Sequence, residues 1–486
     1  MRKAFVGVVC LLAGCGAGSR GASRAPETAS TARDDGRATT TETTEVAVAT
    51  DEATPRNAGT WIGAAAESDV LMADSNDTLV GVWVDAPLAS ARAHARPKMD
   101  LALVIDTSGS MAGDKIASAR AAAKTLLEST GDGDVVSIDT FDNEARQLIP
   151  PTVITHESRT RLERVVSGLE TGGSTNMFDG LELGESQLMR APATHVVRRL
   201  VLISDGKANV GPSTPEALAM VAQRGIAFHA QITSLGVGID YDESTLNALA
   251  VRSSGRLYHL GEPTEMASTL RREMDLLGST VASDAFVEVV PAPGVQIQPV
   301  EGIAGNWGAN GAFVIPLGVL FGGQHREVLV RARFVGMEHE SEGPRPIASV
   351  RLHFRDPSDG DVERVQEVVA RAGFTHNADE VASHANARTR SIVAIQDAAK
   401  LQMQAAQNVN AGQFDQADSA LASAETKLRK EAQVAKDANE RQRLTAAAAS
   451  VGAARGATHA AAAAPAPVRR EKALELNKSG MSGLGY

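Results

Sequence analysis

Thiols are nearly absent from this chain: its two cysteines, Cys10 and Cys15, both fall within the first 15 of 486 residues. Everything after Cys15 therefore has no disulfide framework, no cysteine-ligated zinc or iron–sulfur centre and no cysteine nucleophile. A basic excess is missing as well, since 48 Lys and Arg face 59 Asp and Glu for a formal net charge of −11. That balance argues against nucleic-acid binding, which needs cations to replace phosphate counterions. Aromatic residues are scarce, 3% in a chain that is 43% hydrophobic, so alanine supplies much of the apolar content. Length predicts roughly two to four domains at ~100–200 residues each. The composition predicts one or two full cores with alanine-rich helix and linker around them.

The N-terminus reads Met1-Arg2-Lys3, an apolar run over 4–14, then Cys15. Two cations before a short apolar run match the n- and h-regions of a secretory signal, and the run is too short to span a bilayer, which takes ~20 residues. Leu12-Ala13-Gly14-Cys15 resembles the lipobox of bacterial lipoproteins. The resemblance implies a signal peptide over 1–14 and diacylglycerol on the sulfur of Cys15, with Cys10 discarded. The alternative is an ordinary signal peptide with a chance cysteine. Several acyl chains at ~0.8 kcal/mol per buried methylene anchor a protein firmly. Gly16 after the cysteine, by resemblance to enteric sorting rules, favours the outer membrane, facing periplasm or surface. Residues 15–59 are rich in Ser, Thr, Ala and Gly, too poor in large apolar side chains for a core. They read as a disordered tether with a span of about 35–40 Å.

Residues 60–98 form a lead-in containing the strand-like Thr78-Leu79-Val80-Gly81-Val82-Trp83-Val84, a candidate member of a later β-sandwich. Over 99–278, buried apolar runs such as Leu101-Ala102-Leu103-Val104-Ile105 and Leu200-Val201-Leu202-Ile203 alternate with helical periodicity, as at 115–127. This predicts an α/β domain with a doubly wound, mostly parallel sheet, whose ligands sit beyond the carboxyl ends of the strands. A further strand is expected from Ala227 through Ile232, with His229 as a core residue. Over 279–375, partly alternating strands between Gly, Pro and Asn clusters predict an antiparallel β-sandwich. In it, Asp356-Pro357-Ser358-Asp359-Gly360-Asp361 reads as a turn rather than a calcium loop. Residues 376–445 predict a helical hairpin broken at Gly412, weakly similar to a tetratricopeptide turn, and 446–486 predict a disordered alanine-rich tail.

Three loops carry the chemistry. The first buried strand ends in Asp106-Thr107-Ser108-Gly109-Ser110-Met111. The others are Thr171-Gly172-Gly173-Ser174-Thr175-Asn176 and Ser204-Asp205-Gly206. Carboxylate and hydroxyl oxygens brought to one end of a sheet suit a hard divalent ion such as Mg²⁺. Alone, Asp-x-Ser-x-Ser could equally be a helix N-cap with an Asx turn.

Taken together, Asp106, Ser108, Ser110, Thr175 and Asp205 resemble the metal-ion-dependent adhesion site of von Willebrand factor type A domains, over about residues 99–278. The resemblance implies a Rossmann-like fold. It also implies Mg²⁺, with Mn²⁺ or Ca²⁺ as further candidates, held directly by Ser108, Ser110 and Thr175. Asp106 and Asp205 would act partly through water. Ser174 intervenes between the glycine pair and Thr175, so either hydroxyl could be the ligand. Such an ion keeps a coordination position open for an Asp or Glu of a partner protein, and its charge attracts a carboxylate that the acidic chain would otherwise repel.

The type A domain beside a sandwich is also similar to the heavy chains of inter-alpha-trypsin inhibitor. The expectation is a lipid-anchored envelope protein that binds a protein partner and is not an enzyme. The rivals are a structural or assembly scaffold with a non-essential metal site, and a metal-dependent hydrolase. Hydrolysis has little support: the glycine pair falls short of a nucleophile elbow, no phosphate loop is complete, and no His-Glu-x-x-His occurs.

Overall fold

The computed structural model describes residues 59–89, 96–335 and 343–484. The signal segment, Cys15 and the tether before residue 59 lie outside the described residues. Three strands lead in: β1 (Ile62–Ala66), β2 (Val70–Met72) and β3 (Asp77–Asp85). Next comes β4 (Met99–Asp106), buried along its whole length, as a continuous apolar run becomes at the centre of a sheet covered on both faces.

The chain then alternates. It runs through α1 (Asp114–Ser129), β5 (Val135–Phe141), β6 (Ala145–Val153), α2 (His156–Ser167) and α3 (Met177–Leu188). It continues with β7 (Val197–Ser204), α4 (Pro215–Gly225), β8 (Ala230–Val237), α5 (Glu243–Ser253), β9 (Arg256–Leu260) and α6 (Glu265–Gly278). The resulting six-stranded sheet has the order β6-β5-β4-β7-β8-β9 and is parallel except for β6. Leu126 and Leu127 of α1 with Leu270 and Leu277 of α6 fill one face. Leu181 of α3, Val221 of α4 and Leu249 of α5 fill the other. The doubly wound α/β domain is thus as expected. Its strand order reverses between β4 and β7, and a crevice opens at that point beyond their carboxyl ends.

One local expectation is corrected. Residues 226–228 form a 3-10 turn and His229 takes a left-handed φ of 63°, so the strand begins only at Ala230. The turn lifts His229 out of the sheet. Its side chain is half exposed, with Nδ1 2.8 Å from Asp284, and it is not a core residue.

After the α/β domain come β10 (Thr280–Pro291), β11 (Val295–Pro299), β12 (Asn306–Trp307) and β13 (Phe313–Phe321), then β14 (His325–Phe334), β15 (Arg345–Asp356) and β16 (Val362–Thr375). They form two packed sheets with the lead-in strands, ordered β1-β3-β14-β11 and β12-β13-β10-β15-β16-β2. β3 registers antiparallel against β14 from Asp85↔His325 to Asp77↔Arg333, so strands on both sides of the α/β domain share a sheet. Only the β2–β16 pairing is parallel among the described strands of this sandwich. Alternating residues such as Val80, Val82 and Val84 meet Val287, Val289, Val350 and Leu352 between the sheets. Between β15 and β16 lies the turn read from sequence, where the Ser358 amide donates to Asp356 at 2.9 Å.

Five helices complete the described chain: α7 (Ala378–Ser383), α8 (Ala387–Asn410), α9 (Phe414–Val434), α10 (Ala438–Ala461) and α11 (Ala466–Gly483). The expected hairpin is α8 and α9, with Gly412 at φ 75° in the turn. The expected disordered tail over 446–486 is corrected, because α10 and α11 continue the bundle. Leu444, Ala448 and Val451 of α10 with Ala473 and Leu476 of α11 enter the same cluster as Leu421 and Leu428. Alanine has the highest helix propensity, and its short side chain lets backbones approach, so an alanine-rich stretch needs few leucines to dock. α10 packs on α9 and α11 returns to α8, closing a bundle rather than opening a solenoid. The bundle is tied to the sandwich through the Arg388 fork, which donates to both oxygens of Asp85 at 2.8 Å. A second tie runs from Thr389 Oγ1 to the Ala65 carbonyl at 3.0 Å.

Candidate metal centre

Asp106 is the last residue of β4, and Ser204 is the last of β7 with Asp205 directly after it. Two neighbouring parallel strands therefore deliver carboxylates side by side at the crevice. Asp106 is fully buried. One of its oxygens accepts from the Ser108 amide at 2.9 Å and the other from Ser204 Oγ at 2.6 Å. Ser108 Oγ lies 3.1 Å from Ser110 Oγ, which donates to Asp205 at 2.7 Å. Four of the five expected residues thus form one hydrogen-bonded chain.

The glycine-pair loop is laced to the first loop. Gly172 donates its amide to the Thr107 carbonyl at 2.8 Å, and Gly109 donates to Gly173 O at 3.1 Å. Gly173 sits at φ 79°, where a β-carbon would also meet Asn143 Nδ2 at 2.9 Å, so a side chain there is excluded twice over. Past it, Thr175 is buried and Ser174 is half-buried. The Thr175 amide donates to Asn209 Oδ1 at 2.8 Å, and Asn209 returns its own amide to the Thr175 carbonyl at 3.0 Å. Asn176 caps α3 by accepting from the Asp179 amide.

The fifth residue joins the others around Gly206. A β-carbon built there would lie 3.6 Å from Thr175 Oγ1, 3.7 Å from Ser110 Oγ and 4.0 Å from Asp106 Oδ2. Oxygens from the first loop and the glycine-pair loop therefore converge on one small space beside Gly206, and Asp205 of the third loop joins them through Ser110 Oγ. Hydroxyls and carboxylates are what a hard divalent cation takes, so the residues present fit Mg²⁺ chemistry. Among the described residues no group of three or more His, Cys, Asp or Glu could hold a metal. The neutral hydroxyls must then carry much of any coordination. Burial pushes the Asp106 carboxyl above its ordinary range, hydrogen bonds from Ser108 and Ser204 pull it down, and the charge of Asp205 adds to the rise. A cation between the two carboxylates relieves that repulsion.

Sequence reasoning missed four supports: Asn143, Asn209, Ser204 and Lys115. The ammonium of Lys115, in the first turn of α1, forms an ion pair with the second oxygen of Asp205. Its place on a predicted helix just after the first loop was the one available signal. The two asparagines lie on loops far apart in sequence, and nothing local marks them.

Gly206→Ala gives a clean check on the cradle. Its contacts would be ordinary ones of 3.6–4.0 Å, and its backbone is not left-handed. The melting temperature is expected to stay within about 2 °C, less than ~0.5 kcal/mol. Mg²⁺ affinity measured by calorimetry is expected to fall at least ~10-fold, since a methyl displaces a hydrated ion without replacing its contacts.

Residues 100–272 match the family model of the von Willebrand factor type A domain. That stretch is thus a type A domain, and such domains are generally protein-interaction modules, often metal-dependent. It is 27% identical over 213 residues to YfbK of Escherichia coli (strain K12), itself uncharacterized, covering 43% of this chain and 37% of that protein. It is 30% identical over 162 residues to human inter-alpha-trypsin inhibitor heavy chain H3, covering 32% of this chain and 18% of that one. The chain thus spans well under two thirds of each of these relatives. A solved structure described as von Willebrand factor type A from Catenulispora acidiphila superposes with a TM-score of 0.67 at 19% identity, over 86% of this chain and 96% of that one. At that identity the likeness concerns the fold, and it extends beyond the α/β domain.

Proposed function

We propose that this protein captures a protein partner through a divalent cation, Mg²⁺ first, held by Asp106, Ser108, Ser110, Thr175 and Asp205. A partner Asp or Glu completes the coordination. One observation carries the reading: oxygens of Thr175, Ser110 and Asp106 converge beside Gly206, next to Asp205, at the point where the strand order reverses. Thr175 rather than Ser174 is the ligand from the glycine-pair loop, supported by its approach to that space. The role proposed is binding, supported by a match to a domain class that generally mediates protein interaction. Cys15 would carry the lipid that holds the protein at the cell envelope, in the outer membrane, with residues 15–59 as the tether.

The scaffold reading has one observation in its favour. Lys115 compensates Asp205 without any ion, so the loops can hold together metal-free. The two readings separate in a pull-down from envelope extract with Mg²⁺, with chelator, and with Mg²⁺ restored. Capture is expected to vanish in chelator and return with Mg²⁺. Thr175→Ala is expected to lose it and Ser174→Ala to retain it. Undiminished capture in chelator would sink the metal-bridge reading.

A further inference from the structure

Along the β9 edge of the α/β sheet lies a cavity of about 500 Å³. Arg199, near the start of β7, and Arg256, the first residue of β9, enter its wall from the sheet. Arg272 of α6, Arg326 of β14 and Lys478 of α11 complete a cationic lining drawn from three parts of the molecule. The one lining carboxylate, Glu243, is committed to Arg470 at 3.5 Å.

Arg199 makes the lining more than a surface accumulation of charge. It is 1% exposed, and its Nε and Nη1 have no hydrogen-bond partner among the described residues. Its Nη2 donates to Gln231 Oε1 at 3.1 Å. Glu273 stands behind the cavity as its counter-charge, but 4.0 Å from Arg199 and 3.7 Å from Arg256, too far to accept a hydrogen bond. Its oxygens instead accept from Thr233 at 2.7 Å and the Tyr258 hydroxyl at 2.8 Å. His259 Nδ1, in the same wall, is also buried without a partner among the described residues. Buried donors without acceptors are costly, and a guanidinium most of all, so a site that keeps them is suited to a ligand that supplies the acceptors. Arg256 is pre-positioned, its guanidinium 4.5 Å from the Phe321 ring centre. Tyr241, Phe321 and Leu474 provide apolar wall for a ligand body. The volume lies in the range of small-molecule sites, ~300–1,000 Å³.

We infer that this cavity binds a small organic anion, its phosphate or carboxylate group held by Arg199, Arg256, Arg272 and Lys478. Guanidinium forks match the oxygen geometry of either group. The ligand bridges the α/β domain, the sandwich and α11, so its binding stabilises their docking. This site is independent of the proposed metal bridge and stands or falls separately.

The test titrates inorganic phosphate, phenyl phosphate and benzoate into the full chain. Buffer is freed of divalent metal and held at constant ionic strength with KCl, and melting temperature and calorimetry are the readouts. A saturable rise in melting temperature with phenyl phosphate or benzoate is expected, and whichever of the two binds identifies the head group. Phenyl phosphate stronger than inorganic phosphate confirms the apolar wall. Arg272 and Lys478 are exposed and can be changed without disturbing the core. The Arg272→Gln/Lys478→Gln double variant is expected to bind at least ~10-fold more weakly, one or two charge-assisted contacts being lost. Asp106→Ala is expected to bind as the wild type does. The inference is overturned if no probe saturates, if the double variant binds undiminished, or if Asp106→Ala abolishes the signal.

Discussion

Asp106→Asn is expected to weaken Mg²⁺ binding by roughly 10²–10³-fold, while the metal-free protein melts at the same temperature as the wild type or slightly above it. The loss follows from deleting one of two charges facing the ion; breaking a buried charge pair costs about 3–5 kcal/mol. The metal-free result follows from the geometry. An asparagine keeps the acceptor for the Ser108 amide, and Ser204 Oγ, now donating to Oδ2, can instead accept from the new amide. It also removes the burial cost and the repulsion from Asp205 that push the Asp106 carboxyl upward. Asp205 keeps Lys115 as its counter-charge. Adding Mg²⁺ should therefore separate the two proteins. At ~100 times its dissociation constant, the ion stabilises the wild type by about 2.7 kcal/mol and leaves the variant nearly unchanged. Equal Mg²⁺-induced shifts in both would show that the ion, if bound, is held elsewhere.

The contrast between legible and hidden parts of this molecule has a physical pattern. Asp106, Ser108, Ser110, Thr175 and Asp205 were readable because each loop follows or joins a buried strand, so short motifs report their own structural setting. Asn143 and Asn209 were not, since an asparagine that accepts one amide from a distant loop leaves no local trace. The helical end was misread for a different reason. Large apolar residues are sparse there, yet Ala405, Ala417, Ala424 and Ala448 fill the core between a few leucines and valines. The cavity cations were invisible because Arg199, Arg256, Arg272 and Lys478 come from four separate elements. His229 failed on a single left-handed turn.

Architecture also explains how the candidate metal centre is held. β3 and β14 pair across the inserted α/β domain, so both of its ends are fixed in one sandwich. Val319 and Phe321 of β13 join the core cluster on one face of the α/β sheet, and Leu474 of α11 joins the cluster on the other. The cavity is lined from the β9 edge, α5, α6, β13, β14 and α11, which leaves the carboxyl ends of β4 and β7 for a partner.

Stability is expected to fall by several kcal/mol between pH 5 and pH 8, a loss borne by three acids buried in the α/β domain. Burial pushes Asp100 and Asp139 up to about 7 and Glu185 up to about 8. All three are nearly inaccessible, and Asp139 has only the Gln187 side chain to offset its burial among the described residues. With the folded values above the unfolded ones, the native state holds more protons than the unfolded state through this window. The free energy of unfolding then declines as pH rises, by ~1.4 kcal/mol per pH unit for each proton so held. The full contribution is present below the unfolded value near 4, is lost progressively up to about 8, and changes little beyond. Asp85 and Asp242 work oppositely. Hydrogen bonds, from Arg388 to Asp85 and from Ser244 and Thr245 to Asp242, hold them down against burial, and their stabilisation is lost as pH falls through the acid range. A maximum in mildly acid solution follows. Asp139→Asn should remove one proton from the linkage, raise the urea midpoint at pH 8, and leave that at pH 5 almost where it was. Midpoints that do not differ between pH 5 and pH 8 would mean these carboxylates reach water or a counter-charge in solution.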